Sequence, residues 1–522
     1  MSIATTSDDT VAATGAGRIA LPDRIHNVYE PFSRATPDRP ALAEGATVWT
    51  YAQLAERVEA TARDLSEIGV RRGDRVVLVS ENCISLACLL FACSRMGAWG
   101  IVANPRLSPR ELDQIREHSG SRITLFTADV SAEAAAHAAR CGAVSLVLAA
   151  LTGIKGTAYR PDVDVEPEAA DPKREVAVLI YTSGTTGVPK GVMLSHRNLL
   201  VSCRVTGELR RLTRKDEVYV VLPVSHIVGI SLLISTLLYG ATVRFAAKYD
   251  PAALVEAIRG GITMFNGVPA TFQRLLDYAA ASGAPIPRGR LRLISVAGAP
   301  LDPALKVRVE KAMDLPLLNA YGITECSPGI SGVRMDNPRD DNSVGYILPD
   351  VEARVVGPDG RRVAPGEVGE LHVRGENVML GYYRAPDLTA KAIDPEGWFN
   401  TGDLVRFDGD AMFVVGRTKE MIIRSGFNVY PAEVEAVLAQ HPAVALSAVV
   451  GRPVDGNEEI VAFVQLRHGA QATAADLAAH CAAELTAYKR PTEIRIVEAL
   501  PSTSTGKILK HKLAETARGA TA

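Results

Sequence analysis

Short runs rich in valine and isoleucine, at residues 75–79, 122–126, 176–181 and 291–296, alternate along this chain with longer amphipathic runs at 51–68, 251–259 and 303–312. The short runs suit strands buried on both faces, and the longer ones carry apolar residues at helical spacing. Strands joined through helices run parallel, because the helix returns the chain to the starting edge of the sheet. The chain therefore reads as α/β, and at 522 residues it exceeds one ordinary core, so at least two domains are expected.

The texture changes twice. Prolines and acids at 160–173 mark an exposed connection ahead of the strand at 176–181. From about Asn342 the chain turns to short strands with Gly/Pro/Asp turns, as at 355–360 and 366–370, the pattern of a small β-rich subdomain. A second boundary falls near Gly416. Beyond it, a helix at 431–440, strands at 445–451 and 460–466, a helix at 474–485 and a strand at 493–497 compose a small domain. The expected division is a loose terminus at 1–20, a large domain at 21–415 and a small one at 416–522.

Several function classes are disfavoured. Lysine and arginine total 57 against 59 aspartate and glutamate, so no overall field attracts nucleic acid or an anionic membrane. The 7 cysteines are scattered without a CxxC pair, as free thiols in a reducing compartment are, and the cytoplasm is the expected location. The first residues lack a basic-then-apolar export design. Residues 218–243 contain His226 as their single potentially charged side chain and have the length of a membrane span. Pro223, Ser225, Ser231 and Ser235 interrupt them, so a buried strand, loop and helix are expected there. The run at 83–103, broken by Arg95, is read the same way.

The strand at 176–181 feeds the most informative loop, Tyr181-Thr182-Ser183-Gly184-Thr185-Thr186-Gly187-Val188-Pro189-Lys190-Gly191. Glycines let backbone N–H groups turn inward around an anion, hydroxyls add donors, and lysine adds a compact positive charge. These are the materials of a phosphate site. The pattern is not a Walker A loop, because Val188 and Pro189 precede Lys190 and Gly191 follows it.

The full string closely resembles the phosphate loop of the adenylate-forming superfamily: acyl-CoA synthetases, firefly-type luciferases and the adenylation domains of peptide synthetases. Further strings similar to that family's motifs follow in order: Pro223-Val224-Ser225-His226-Ile227-Val228-Gly229, Asn319-Ala320-Tyr321-Gly322-Ile323-Thr324-Glu325, Trp398-Phe399-Asn400-Thr401-Gly402-Asp403, Gly416-Arg417-Thr418-Lys419-Glu420 and Pro501-Ser502-Thr503-Ser504-Thr505-Gly506-Lys507. The resemblance spans roughly residues 25–515. It implies a large N-terminal domain of stacked mixed sheets flanked by helices, with a small β-rich subdomain and a small mobile C-terminal α+β domain.

It also implies roles. Thr182, Ser183, Gly184, Thr185, Thr186, Gly187 and Lys190 would hold the β- and γ-phosphates of ATP. Thr324 would bond the α-phosphate and Glu325 would help hold Mg²⁺, a hard cation that prefers oxygen. Tyr321 would stack on adenine, with Gly298, Ala299 and Pro300 nearby and Asn319, Ala320 and Gly322 around it. Asp403 and Arg417 would grip the ribose hydroxyls. Lys507 would bridge the substrate carboxylate and the α-phosphate, and Lys419 would be the hinge about which the small domain swings. Residues 424–428, with Ser425 and Gly426, would line a pantetheine channel, Lys248 would touch a coenzyme A phosphate, and His226 would stand beside the acyl pocket.

The residues at 224–227 lack the aspartate with which amino-acid-activating domains pair an α-ammonium. Pocket positions at 224–231, 265–268, 296–298, 320 and 323–329 are mostly apolar or small and contain no arginine, which favours a monocarboxylic, apolar acid. Aromatic acids and short to medium aliphatic acids both fit. The expected activity is an ATP-dependent acyl-CoA ligase using ATP, Mg²⁺ and coenzyme A. The alternative is a freestanding adenylating enzyme that loads a carrier protein. The chain ends soon after Lys507, so no fused carrier domain is expected, and the final Thr-Ala lacks a Ser-Lys-Leu peroxisomal address.

Overall fold

The computed structural model describes residues 18–182, 190–425, 427–454, 457–467, 469–502 and 508–519. Two large mixed sheets form its body. The first, of nine strands, has a parallel centre in which Pro40–Glu44, Thr242–Phe245, Glu217–Val220, Met264–Gly267, Leu293–Val296 and Leu317–Gly322 lie side by side. Antiparallel strands close both of its edges. The second, of eight strands, pairs Ile123–Thr127, Arg75–Val79, Trp99–Ala103 and Val176–Thr182 in parallel and adds antiparallel strands on either side.

Local chemistry explains where the helices begin and end. At Tyr51–Ile68 the Thr50 hydroxyl accepts from the Gln53 N–H and the Gln53 side chain returns to the Thr50 N–H, a reciprocal cap. Gly69, at φ 123°, ends the helix in a conformation a side chain would resist. One face, including Leu54, Val58 and Leu65, is fully buried, each contributing about 2 kcal/mol of transfer free energy.

The apolar stretch at 218–243 resolves into the strand Glu217–Val220, the helix Ile227–Leu238 and the strand Thr242–Phe245. The helix is apolar on every side because protein surrounds it. No helix among the described residues is long and apolar enough to cross a membrane. The run at 83–103 becomes the buried helix Ile84–Met96 and the strand Trp99–Ala103. One continuous core joins both sheets to these helices and reaches the four-stranded sheet Val351–Val356, Gly369–Gly375, Phe399–Asp408 and Ala411–Arg417 through Leu371 and Val405.

The C-terminal portion has its own core. A three-stranded sheet, Val444–Val454, Asn457–Leu466 and Glu493–Ile496, alternates its side chains between two layers. Val449, Ile460 and Ala462 pack on the helices Pro431–Gln440 and Ala474–Glu484. Val450, Val461 and Phe463 pack on the helix Lys510–Gly519.

Several expected bounds move by a few residues. The strand expected at 122–126 runs Ile123–Thr127, because its ladder partners are 76–79 on one side and 154–156 on the other. Gly416, near which a domain boundary is expected, is the last residue but one of the strand Ala411–Arg417 and pairs with Leu404. Arg18, expected in a loose terminus, is tied by ion pairs to Glu208 at 3.1 Å and Asp350 at 2.9 Å.

Candidate active site

The phosphate-type loop connects a hairpin. Thr182 ends one strand, Lys190 begins the next, and the two are register partners in an antiparallel ladder. A P-loop leads into a helix; here the described chain resumes as the strand Lys190–Ser195. Ser183, Gly184, Thr185, Thr186 and Gly187 lie outside the described residues, as do Gly426 and Lys507.

Lys190 is placed by a residue that its surrounding sequence does not advertise. Its ammonium stands over the Tyr382 ring, 5.3 Å from the centroid. The Tyr382 hydroxyl donates to Glu325 Oε1 at 2.9 Å. The lysine of the loop and the acid of the Tyr-Gly-Ile-Thr-Glu string are thus joined through one side chain. Burial and the neighbouring Glu325 carboxylate both raise the Tyr382 phenol, which keeps it a donor.

Glu325 belongs to the 3-10 turn Thr324–Cys326, directly after the strand Leu317–Gly322, and its carbonyl accepts from Met379 N at 2.8 Å. Thr324 is buried. Gly322 makes this turn possible: a Cβ there would stand 2.1 Å from the Pro328 carbonyl oxygen, which accepts from Ile323 N. Cys326 is fully buried, and burial followed by the Glu325 and Asp403 charges pushes its thiol well above the usual range.

Asp403 forms a second cluster. Its Oδ1 accepts from Arg417 Nε at 2.8 Å and its Oδ2 from the Tyr321 hydroxyl at 2.5 Å. The carboxylate is nearly buried, and Asp403 and Arg417 are partners on adjacent strands. Burial, then the Asp403 charge, holds the Tyr321 phenol well above its ordinary value. Two acceptor oxygens fixed by neutral and cationic donors make a preorganised partner for a diol.

The remaining sequence candidates divide. Gly298, at φ 84°, follows the strand Leu293–Val296, and Ala299 and Pro300 come next at the same sheet edge. Ala320 pairs with Gly332 in the ladder. The buried Asn319 amide is committed to the carbonyls of Asn342 and Ser343, at 3.2 and 3.1 Å, so its side chain fixes a loop. His226 caps the helix Ile227–Leu238, its Nδ1 accepting from Val228 N at 3.4 Å. Lys248 pairs with Glu133 at 2.9 Å. Lys419 is exposed in the 3-10 turn Thr418–Glu420, and Ser425 bonds through its N–H to Asn457 Oδ1 at 2.7 Å.

Asn82 was not anticipated. Its amide donates to the carbonyls of Val220 and Leu222 and accepts from Val224 N at 2.8 Å, clamping the segment that carries His226 to the other sheet. Its partners are about 140 residues away in sequence. Among the described residues no cluster of three or more His, Cys, Asp or Glu could hold a metal by itself. A hard divalent ion at Glu325 would take one carboxylate from the protein and complete its shell with phosphate and water oxygens, as Mg²⁺ commonly does.

Lys190, Tyr382 and Glu325 thus form one contact chain, and Asp403, Arg417 and Tyr321 a second cluster, on a body of two large mixed sheets. Residues 30–383 match the AMP-binding enzyme family and residues 433–507 match the AMP-binding enzyme C-terminal domain. The chain belongs to the AMP-binding enzyme family and is an AMP-forming acid–thiol ligase.

It is 35% identical to a feruloyl-CoA synthase from Amycolatopsis, over 92% of this chain and 96% of that one. It is 32% identical to a long-chain-fatty-acid–CoA ligase from Salmonella typhimurium, over 95% and 96% of the two chains. Among solved structures, the O-succinylbenzoate coenzyme A synthetase from Bacillus subtilis in complex with ATP and a magnesium ion superposes with a TM-score of 0.80, at 27% identity. That match covers 93% of this chain and 99% of the other.

Proposed function

We propose that this enzyme joins an apolar monocarboxylic acid to coenzyme A in two steps, through an acyl-adenylate. In the first, a carboxylate oxygen bonds to the α-phosphorus of ATP and the bond to the β-phosphate breaks, releasing pyrophosphate. In the second, a thiol sulfur bonds to the acyl carbon, the thiol proton is lost and AMP leaves. The observation that carries this reading is the contact chain Lys190–Tyr382–Glu325 at the mouth of the hairpin.

Two anions must meet in the first step, and fixed positive charge offsets their repulsion most where water is sparse. Lys190 and the hydroxyls flanking it would hold the departing phosphates, Thr324 the α-phosphate, and Lys507 the reacting oxygens. Mg²⁺ bound at Glu325 would neutralise phosphate charge. Asp403 and Arg417 would receive the ribose and Tyr321 the adenine. We place the hinge in the turn Thr418–Glu420, between the four-stranded sheet and the C-terminal core. A swing there would withdraw Lys507 and present Ser425 and Gly426 to the thiol.

The acid is proposed from the lining. Positions 224–231, 265–268, 296–298, 320 and 323–329, apart from His226, Thr324 and Glu325, are mostly small or apolar, and several follow the carboxyl ends of the parallel strands. Relatives named for ferulate and for long-chain fatty acids agree with such a pocket. A pyrophosphate-release screen over aromatic and aliphatic acids, with and without coenzyme A, tests the whole reading. Release that requires an acid, with acyl-CoA formed on adding the thiol, is expected. Thioester formed only with a phosphopantetheinylated carrier protein would replace coenzyme A as acceptor, and acid-independent release would end the proposal.

A further inference from the structure

We propose that Lys510 is a positioning residue for adenylation: held between Glu420 and Glu435, it locks the segment that carries Lys507 to the hinge turn. The proposal rests on the reading of Lys507 and Lys419 given above. Lys510 opens the last helix, Lys510–Gly519, three positions after Lys507. Its ammonium lies 2.8 Å from Glu435 Oε1 and 3.2 Å from Glu420 Oε2. Ser502 and Ile508 pair as an antiparallel bridge and Leu509 N donates to the Pro501 carbonyl at 2.8 Å, so residues 501–502 and 508–509 are held together.

The two acids belong to different elements. Glu435 sits on the helix Pro431–Gln440, and its Oε1 also accepts from Val449 N at 2.7 Å, which makes it a fixed anchor. Glu420 ends the turn Thr418–Glu420, next to Lys419. On the other flank of that turn, Arg417 bonds Asp403. A chain of contacts therefore runs from the proposed ribose acceptor through the hinge turn to the base of the lysine segment.

The Lys510 side chain is only 22% exposed and Glu435 15%, so this is no solvent-screened surface pair. Burial works against the ammonium, yet the two carboxylates win and raise its proton affinity above that of an ordinary lysine. Deleting the cation leaves two facing carboxylates without compensation, a strongly unfavourable arrangement that the exposed turn would relieve by moving. The base of the lysine segment, at Lys510, would then lose its tie to the hinge turn.

The test compares half-reactions on the full-length enzyme, with ferulate or dodecanoate, whichever releases pyrophosphate faster. Lys510→Met should lower acid-dependent ATP–pyrophosphate exchange by about tenfold to a hundredfold, the scale of a misplaced reacting group, and leave thioester formation from presynthesised acyl-adenylate within about twofold. Glu420→Gln should reproduce the asymmetry, and Lys510→Arg should restore exchange. Unchanged exchange, or equal loss in both half-reactions that arginine does not rescue, overturns the proposal. Lys507→Ala is assayed in parallel: if it retains exchange, the reading of the lysine segment itself falls and this inference falls with it. If it loses exchange and Lys510→Met does not, only the inference fails.

Discussion

Tyr382 carries two contacts that no other described residue combines, a ring beneath the Lys190 ammonium and a hydroxyl on Glu325. Tyr382→Phe keeps the ring and removes the hydroxyl. A hydrogen bond to a charged group is worth about 1.5–3 kcal/mol, so KM for MgATP should rise by about one to two orders of magnitude with KM for the acid little changed. A parallel rise in both constants would show that the hydroxyl acts on the fold and not on the nucleotide site. Gly322→Ala is the complementary change. Its added carbon meets a backbone oxygen, so the turn Thr324–Cys326 must shift, with a stability loss of about 1–3 kcal/mol visible in thermal unfolding.

What the sequence makes legible differs from one residue to the next. Thr324, Glu325, Asp403 and Arg417 stand in strings specific enough to name, and in the structure Glu325 bonds Tyr382 and Asp403 bonds Arg417. Tyr382 and Asn82 escaped because their partners, about 57 and 140 residues away, leave no periodic trace near them.

Among the elements, Tyr51–Ile68 and Pro251–Arg259 have the expected bounds because both are punctuated locally, by caps at Thr50 and Asp250 and by glycines at 69 and 260. The returning strand Lys190–Ser195 was not foreseen. Its identity depends on Val176–Thr182 on one side and Gly381–Tyr382 on the other, and the second partner is almost 200 residues away. Strand character of that kind is a property of neighbours more than of composition.

The first helical turn of the described chain suggests an element-level test. His26, in the turn Ile25–Val28, bonds Ser94 of the helix Ile84–Met96, and His196, heading the helix His196–Leu209, lies against Ile25 N. Burial, helped by Arg95 and Arg24 at His26 and by Arg24 at His196, lowers each to about 3. Unfolded histidine titrates near 6.5, so below that pH the unfolded chain binds more protons. The stabilisation is complete above the unfolded value and is lost as pH falls toward 3. Between pH 7 and pH 5 the loss is about 2 kcal/mol per histidine. Unfolding midpoints across that range should fall steeply for the native chain and less steeply for His196→Gln, and equal slopes would remove His196 from the account.

At the scale of the molecule, one continuous core binds the two large sheets to the four-stranded sheet, while the C-terminal sheet packs its helices on separate clusters. Motion is therefore expected at the turn Thr418–Glu420 and not within the larger body. Lys419→Pro fixes one backbone torsion there. Thioester formation should drop more than pyrophosphate exchange, and unchanged overall turnover would argue against a swing about that residue.

Every described cysteine but Cys141 is buried, and Cys326 lies directly beside Glu325 with its thiol held protonated. An acyl-adenylate is a strong electrophile, and if it forms beside Glu325 as proposed, a thiolate there would trap it as a dead-end protein thioester. On the proposed reading, burial and the neighbouring Glu325 and Asp403 charges would keep that sulfur from competing with the incoming thiol. The intermediate is left to wait for the sulfur that arrives from outside.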